Sequence, residues 1–101
     1  MELPGKVARD PLVWCEYADA LAMADGGRLS GKPRELIDRA LALDSRNPRA
    51  LEMAGSAEIG QGNFAAALCY WEELLTILSP ESPALQELVA AVGRTRMRAG
   101  R

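Results

Sequence analysis

The chain has 101 residues, of which 49% are hydrophobic and 26% are charged, and its formal net charge is −2. This composition predicts one small folded domain and excludes a disordered chain, and the absence of histidine excludes His-dependent catalytic triads and His-ligated metal sites. The longest apolar run, residues 64–71, is far shorter than the roughly 20 residues of a membrane-spanning helix, so the chain as given is expected to be soluble.

Five helices are predicted in chain order, at about 11–25, 33–44, 48–61, 64–78 and 83–98. Most begin at a proline, which has no backbone N–H to leave unpaired, and most starts follow a residue that can cap a helix. Apolar residues recur within each segment at helical spacing, and no segment alternates as a strand does. The five start sites are Asp10-Pro11, Lys32-Pro33, Asn47-Pro48, Asn63-Phe64 and Ser82-Pro83.

The stretch GGRLSGKP, residues 26–33, separates the first two helices and resembles a phosphate-binding loop. A true phosphate loop follows a strand and has Ser or Thr after its Lys to bind Mg²⁺. Here a helix is predicted before the stretch, and Pro33 stands in the metal-ligand position. We therefore interpret the stretch as a helix–helix turn in which Gly26 and Gly27 end the first helix and Leu29 packs against the core. We predict no nucleotide, cofactor or metal site in the chain, and no enzymatic activity.

The second half of the chain shows a period of 34 residues, the spacing from Leu51 to Leu85. Within it, Gly55 and Ala67 are small residues on facing helices, and Trp71 is expected to fill the space that they leave. This pattern resembles the tetratricopeptide repeat (TPR), with Glu58 standing where an aromatic residue is usual. The resemblance implies an all-α fold, a right-handed superhelix of two helix-turn-helix repeats (about 11–45 and 48–79) and a C-terminal capping helix (about 83–98).

A narrower resemblance rests on residues 17–29, 33–37, 40–44, 50–55 and 70–75, and above all on the three-residue insertion in the 26–33 turn. These segments resemble the C-terminal TPR domain of the cytochrome c-type biogenesis proteins of the CycH/NrfG (CcmI) family. That resemblance implies a periplasmic domain of a membrane-anchored bacterial protein, with the anchor outside this chain. It also implies binding of a helical C-terminal segment of apocytochrome c; a generic TPR scaffold that binds another peptide or subunit is the alternative.

In a TPR stack the first helix of each pair lines the concave face, where a partner helix is bound. The resemblance places these groove positions on the first, third and fifth predicted helices of the chain. Glu87, on the fifth helix, is one such position. The other candidate groove residues are Leu12, Cys15, Glu16, Asp19, Met23, Arg49, Glu52, Met53, Ser56, Ile59, Gln86, Ala90 and Arg94.

Four further expectations concern the ends of the chain, its thiols and its oligomeric state. Residues 1–10 are expected to be a lead or linker from a longer chain, and the arginines near the C-terminus to stabilise the end of the last helix rather than to bind nucleic acid. Cys15 and Cys69 lie on helices that are not direct neighbours in a TPR stack, so no disulfide between them is predicted.

Two and a half repeats are near the minimum for a stable stack, which is compatible with weak homodimerisation through an exposed helix face.

Overall fold

A computed structural model describes residues 9–99, which form five α-helices and no strand. The predicted all-α fold and all five predicted helices are confirmed. Most of the predicted lead and the last arginine, Arg101, lie outside the described residues. The helices are α1 (Pro11–Ala24), α2 (Lys32–Leu43), α3 (Pro48–Gly60), α4 (Phe64–Leu75) and α5 (Pro83–Ala99).

Two of the predicted caps form the hydrogen bonds expected of them. The carboxylate of Asp10 accepts a hydrogen bond from the backbone N–H of Leu12 at 3.0 Å. The side-chain oxygen of Asn47 accepts one from the N–H of Ala50, also at 3.0 Å. Each bond satisfies a donor that the first helical turn leaves unpaired, and it fixes the residue at which α1 or α3 begins.

Asn63 occupies the predicted N-cap position of α4, but its side chain does not form the expected capping bond. Gly62 has the positive φ, 78°, of a residue that ends a helix, but the side chain of Asn63 makes no capping bond to α4. Its Nδ2 instead donates to Oε1 of Glu58, 2.9 Å away. The side chain therefore links the turn back to α3 rather than to the helix that follows it.

The fourth helix is shorter than predicted, since it ends at Leu75 and not near residue 78. The N–H of Thr76 donates to the carbonyl of Glu73, three residues back, and the Thr76 hydroxyl donates to the same carbonyl at 2.7 Å. The N–H groups of Thr76 and Ile77 thus bind carbonyls three residues back instead of four, and the chain leaves α4 through a tighter turn.

The 26–33 stretch is the helix–helix turn that the sequence predicts. Gly26 and Gly27 have φ values of 69° and 90°, which favour glycine, and the N–H of Gly27 donates to the carbonyl of Ala22 at 2.7 Å. Leu29 is half-buried and packs against the core, as expected. Since α1 precedes this stretch where a phosphate loop requires a strand, its likeness to such a loop is accidental.

The helices form two hairpins followed by a single helix. The first hairpin is α1 with α2 and the second is α3 with α4; both helices of the first hairpin pack on α3, and α5 packs on α4. The resulting core has two parts. The first includes Trp14, Cys15, Ala18, Leu36, Ile37, Ala40, Ala50, Met53 and Ala54, and the second includes Leu51, Trp71, Leu74, Leu88 and Val92.

Inside the second hairpin, α3 and α4 approach each other closely at Gly55 and Trp71. A Cβ atom on Gly55 would lie 2.0 Å from Nε1 of the Trp71 indole, so the ring occupies the space that any other residue would need. The indole N–H donates to the backbone carbonyl of Glu52 at 3.3 Å. The predicted role of the small residue at position 55 is confirmed, and the ring of Trp71 is thereby fixed beside α3.

Candidate peptide-binding groove

An apolar cleft opens between α3 and α5, because both helices pack on α4 and stand apart from each other. The cleft has a volume of about 380 Å³. Its floor is formed by Trp71, Leu74 and Leu78. Its walls are Pro48, Arg49 and Glu52 on α3, and Ala84, Glu87, Leu88 and Ala91 on α5.

A second cleft, of about 330 Å³, continues the first toward the C-terminal ends of the same two helices. Trp71 and Ala91 line both clefts, so the two meet at these side chains. The second cleft is lined in addition by Ile59, Arg94, Thr95 and Arg98. We refer to the two clefts together as the α3–α5 groove.

The first helix presents an exposed stripe next to this groove. Leu12 is 46% exposed and Met23 is 73% exposed, while Glu16 and Asp19 lie between them at helical spacing. Arg49 connects this stripe to α3, since its guanidinium lies 3.8 Å from the Asp19 carboxylate. These predicted residues are therefore accessible to a partner.

Arg49 also donates to Glu52 on its own helix, at 2.6 Å. The structure thus brings Asp19, Arg49 and Glu52 together, and it places Ile59 and Arg94 in the second cleft. These five predicted residues, together with the predicted Glu87 that lines the first cleft, lie at or beside the α3–α5 groove.

Two predicted groove residues are not on the surface. Cys15 is fully buried and Met53 is 4% exposed, and both belong to the first part of the core. The physical reason is that α1 and α3 pack directly against each other, which closes the space that a groove between them would need. Neither side chain lines either cleft of the α3–α5 groove.

Three other predicted residues are exposed but do not line the α3–α5 groove. Ser56 borders a separate depression beside the 26–33 turn. Gln86 and Ala90 lie on the outer face of α5, with the exposed Val89 and Met97. The groove-lining face of α5 is instead the one that carries Ala84, Glu87, Leu88 and Ala91.

The residues that the sequence prediction missed are the groove floor and part of the α5 wall. The spacing of Trp71, Leu74 and Leu78 in the predicted fourth helix, about 64–78, is that of a buried helix face, and such spacing predicts core residues rather than a groove floor. On α5, the spacing of residues 84, 87, 88 and 91 (i, i+3, i+4 and i+7) is the signal that could have identified the correct wall.

The predicted groove residues include one thiol, Cys15, and several carboxylates, which are side chains able to bind a metal ion or act as nucleophiles. No cluster of three or more His, Cys, Asp or Glu side chains in residues 9–99 could hold a metal ion. The one thiol among the predicted groove residues, Cys15, is buried, and burial raises its pKa to about 11. Because the thiolate is the nucleophilic form, this cysteine is unreactive near neutral pH.

We therefore expect only Cys69, which is exposed, to react rapidly with iodoacetamide in the native protein. Mass spectrometry should show one alkyl group on Cys69 within minutes, and a second on Cys15 only after denaturant is added. Rapid labelling of a Cys69→Ser variant would contradict the burial of Cys15. The same spectra test the predicted absence of a disulfide, since a bridged protein would gain two hydrogens on reduction.

Two curated proteins are similar to this chain. The cytochrome c-type biogenesis protein CycH of Pseudomonas aeruginosa strain PAO1 is 30% identical over 90 residues, 89% of this chain. The formate-dependent nitrite reductase complex subunit NrfG of Escherichia coli O157:H7 is 32% identical over 68 residues, 67% of this chain. The chain spans 22% of the length of CycH and 34% of that of NrfG.

No family model and no solved structure matches the chain. The comparisons agree with the resemblance found in the sequence, and the helical hairpins agree with a TPR stack. In the part of the chain that the structure describes, no helix is both long and apolar enough to cross a membrane.

Proposed function

Because this chain is a TPR-type helical stack with CycH and NrfG as homologues, we propose that it is a non-catalytic protein-binding domain that acts in cytochrome c maturation. Its client is a helical C-terminal segment of apocytochrome c, and it works in the periplasm as part of a longer, membrane-anchored protein. The homology to biogenesis proteins favours this proposal over a generic TPR scaffold.

The observation that carries the proposal is the apolar α3–α5 groove. Its two clefts have room for side chains of a partner helix, and its floor of Trp71, Leu74 and Leu78 offers the apolar contact that an amphipathic helix needs. The wall at Ala84 and Ala91 is made of small residues, which lets a second helix approach closely. The exposed Leu12 and Met23 on α1 extend the apolar contact beside the groove.

The outer face of α5 is separate from this groove. Val89 is 54% exposed and Met97 is 71% exposed on that face. A second copy of the chain that packs there would form the predicted weak homodimer and leave the groove open to a client.

The proposal predicts that a labelled peptide from the C-terminal helix of an apocytochrome c binds saturably, with a Kd below about 100 μM. An Ala91→Phe variant, which places a ring where the two clefts meet, should weaken binding by roughly tenfold or more. The measurement is fluorescence anisotropy of the labelled peptide.

The matched control is Ala42→Phe, which adds the same ring at an exposed position on α2. It should bind the peptide as the unmodified chain does. Equal loss of affinity in both variants would argue against the α3–α5 groove. Binding of unrelated peptides with no binding of the apocytochrome peptide would favour the generic scaffold.

A further inference from the structure

The α3–α5 groove carries opposite charges at its two ends. Where α3 and α5 begin, the wall residues Glu52 and Glu87 bring carboxylates, and the single cation Arg49 is shared between Glu52 and Asp19. At the other end, Arg94 and Arg98 line the second cleft, and no carboxylate lines it. An acidic end and a basic end thus flank the apolar floor.

Three charged side chains of α5 that line the groove form no ion pair in the described part of the chain, although the Arg98 guanidinium lies over the Phe64 ring, 5.4 Å from its centroid. Within residues 9–99, no ion pair joins Glu87, Arg94 or Arg98 to another side chain. By contrast, Arg96, on the same helix, pairs with Glu72 at 2.6 Å. A partner that covers an unpaired charge removes its water and must supply an opposite charge to compensate.

The spacing of these charges defines the partner that fits. Glu87 and Arg94 are seven residues apart on α5, which is two helical turns, or about 10 Å along the helix axis. A helix that lies along the groove and reaches both has its own charges about two turns apart. Trp71 and Ala91, where the two clefts meet, then face the apolar stripe between those charges.

We infer, on the basis of the proposed function, that the groove selects an amphipathic helical segment with one basic and one acidic side chain about two turns apart, at either end of its apolar stripe. The basic side chain lies beside Glu87 and the acidic one beside Arg94. The order of the two charges along the partner then determines the direction in which the partner binds.

The test uses three synthetic Leu-faced helical peptides of equal length, acetylated and amidated so that no terminal charge contributes. Two guest positions seven residues apart carry Lys and Glu, Lys and Lys, or Glu and Glu. Anisotropy titrations of the full chain should show the Lys/Glu peptide binding roughly fivefold more tightly than either like-charged peptide.

Charge reversal in the protein should change this preference predictably. A Glu87→Lys chain should prefer the Glu/Glu peptide, and an Arg94→Glu chain should prefer the Lys/Lys peptide. The double variant has its charges exchanged and should prefer the Lys/Glu peptide again. Glu35→Lys and Arg28→Glu make the same charge changes at exposed positions outside the groove and should leave the preference unchanged.

The inference is overturned if no peptide binds the unmodified chain, if the preference ignores both groove reversals, or if the control variants shift it equally. An apocytochrome peptide that binds while the preference ignores the reversals would leave the proposed function standing. Failure of the apocytochrome peptide alone, with the synthetic peptides following the charges, would overturn the client assignment.

Discussion

Replacing Gly55 with alanine is expected to destabilise the domain by about 1–3 kcal/mol, the usual cost of forcing an added methyl group into a packed interior. The new Cβ would lie 2.0 Å from Nε1 and 2.4 Å from Cδ1 of Trp71. Because the indole is only 8% exposed, it must move together with its neighbours or α3 must shift away from α4. Urea unfolding followed by circular dichroism measures the loss as a lower midpoint.

The chain provides a matched control in the same helix. Gly60 also lies in α3, and a Cβ on Gly60 would meet nothing within 4 Å. Gly60→Ala should therefore leave the domain unchanged or stabilise it by up to about 1 kcal/mol, because alanine loses less backbone entropy on folding. Equal destabilisation by both substitutions would contradict a specific clash at position 55.

A double variant tests whether the indole is the cause. Trp71→Phe is destabilising by itself, because it shrinks a buried side chain and removes the hydrogen bond to the Glu52 carbonyl. It also removes Nε1, the atom nearest to the added Cβ, so the pair Gly55→Ala and Trp71→Phe should cost less than the sum of the single changes. Strict additivity would mean that the two residues do not interact.

Since Trp71 lines both clefts, the affinity of the chain for the peptide should also fall with Gly55→Ala.

Local sequence signals predicted the elements of this fold well. Asp10 and Asn47 form the predicted caps, since a capping bond depends only on residues two or three positions away. Asn63 has the same local signal, but its side chain does not form a capping bond. The turn between α3 and α4 brings Glu58 close, and Glu58 accepts a hydrogen bond from the Asn63 amide instead. The competing partner is five residues back in the chain, outside the local pattern.

The candidate site was predicted less well, because the apolar stripe of a helix does not reveal how many neighbours cover it. Cys15 and Met53 lie at positions that face a groove in a regular TPR, but here α1 and α3 pack together and bury both. In α5, the buried Leu88 and Val92 form the core-facing stripe, and the predicted groove residues lie on both flanks of it. Glu87 and Arg94 line the groove, whereas Gln86 and Ala90 do not. Only the position of α5 relative to α3, which depends on α4, determines which flank of α5 faces the groove.

The sequence marks Glu58 as an unusual residue for its position in a TPR, but it does not reveal the contacts that this side chain makes. It stands where a TPR usually has an aromatic residue, and the structure makes it part of a polar cluster that joins α2, α3 and α4. Arg34 is the centre of this cluster. Its guanidinium donates to Glu58 at 2.9 Å, to Asp38 at 2.9 Å and to the Tyr70 hydroxyl at 3.1 Å. These contacts join residues up to 36 positions apart and could not be read from local spacing.

Replacing Arg34 with methionine should therefore destabilise the domain by about 1–3 kcal/mol, because a largely buried carboxylate loses its charged partner. The Glu58 side chain is only 14% exposed, and methionine retains the aliphatic length of Arg34 but none of its donors. The matched control is Arg46→Met. Arg46 pairs with Glu73, and both of these side chains are largely exposed, so its loss should cost no more than about 1 kcal/mol.

The pH dependence separates the loss of the ion pair from a loss of packing. Hydrogen bonds from Asn63, and then from Arg34, hold the pKa of Glu58 below its ordinary value of 4.5. A lowered pKa means that the ionised carboxylate favours the folded state, so this stabilisation is present above pH 4.5 and is lost as the pH falls through the lower folded value. The difference in unfolding free energy between the unmodified chain and Arg34→Met should thus be largest near pH 7 and should narrow toward pH 3. A difference that stays constant across this range would mean that Arg34 stabilises the domain through its hydrogen bond to the Tyr70 hydroxyl and its contact with the Tyr70 ring, rather than through the charge of Glu58.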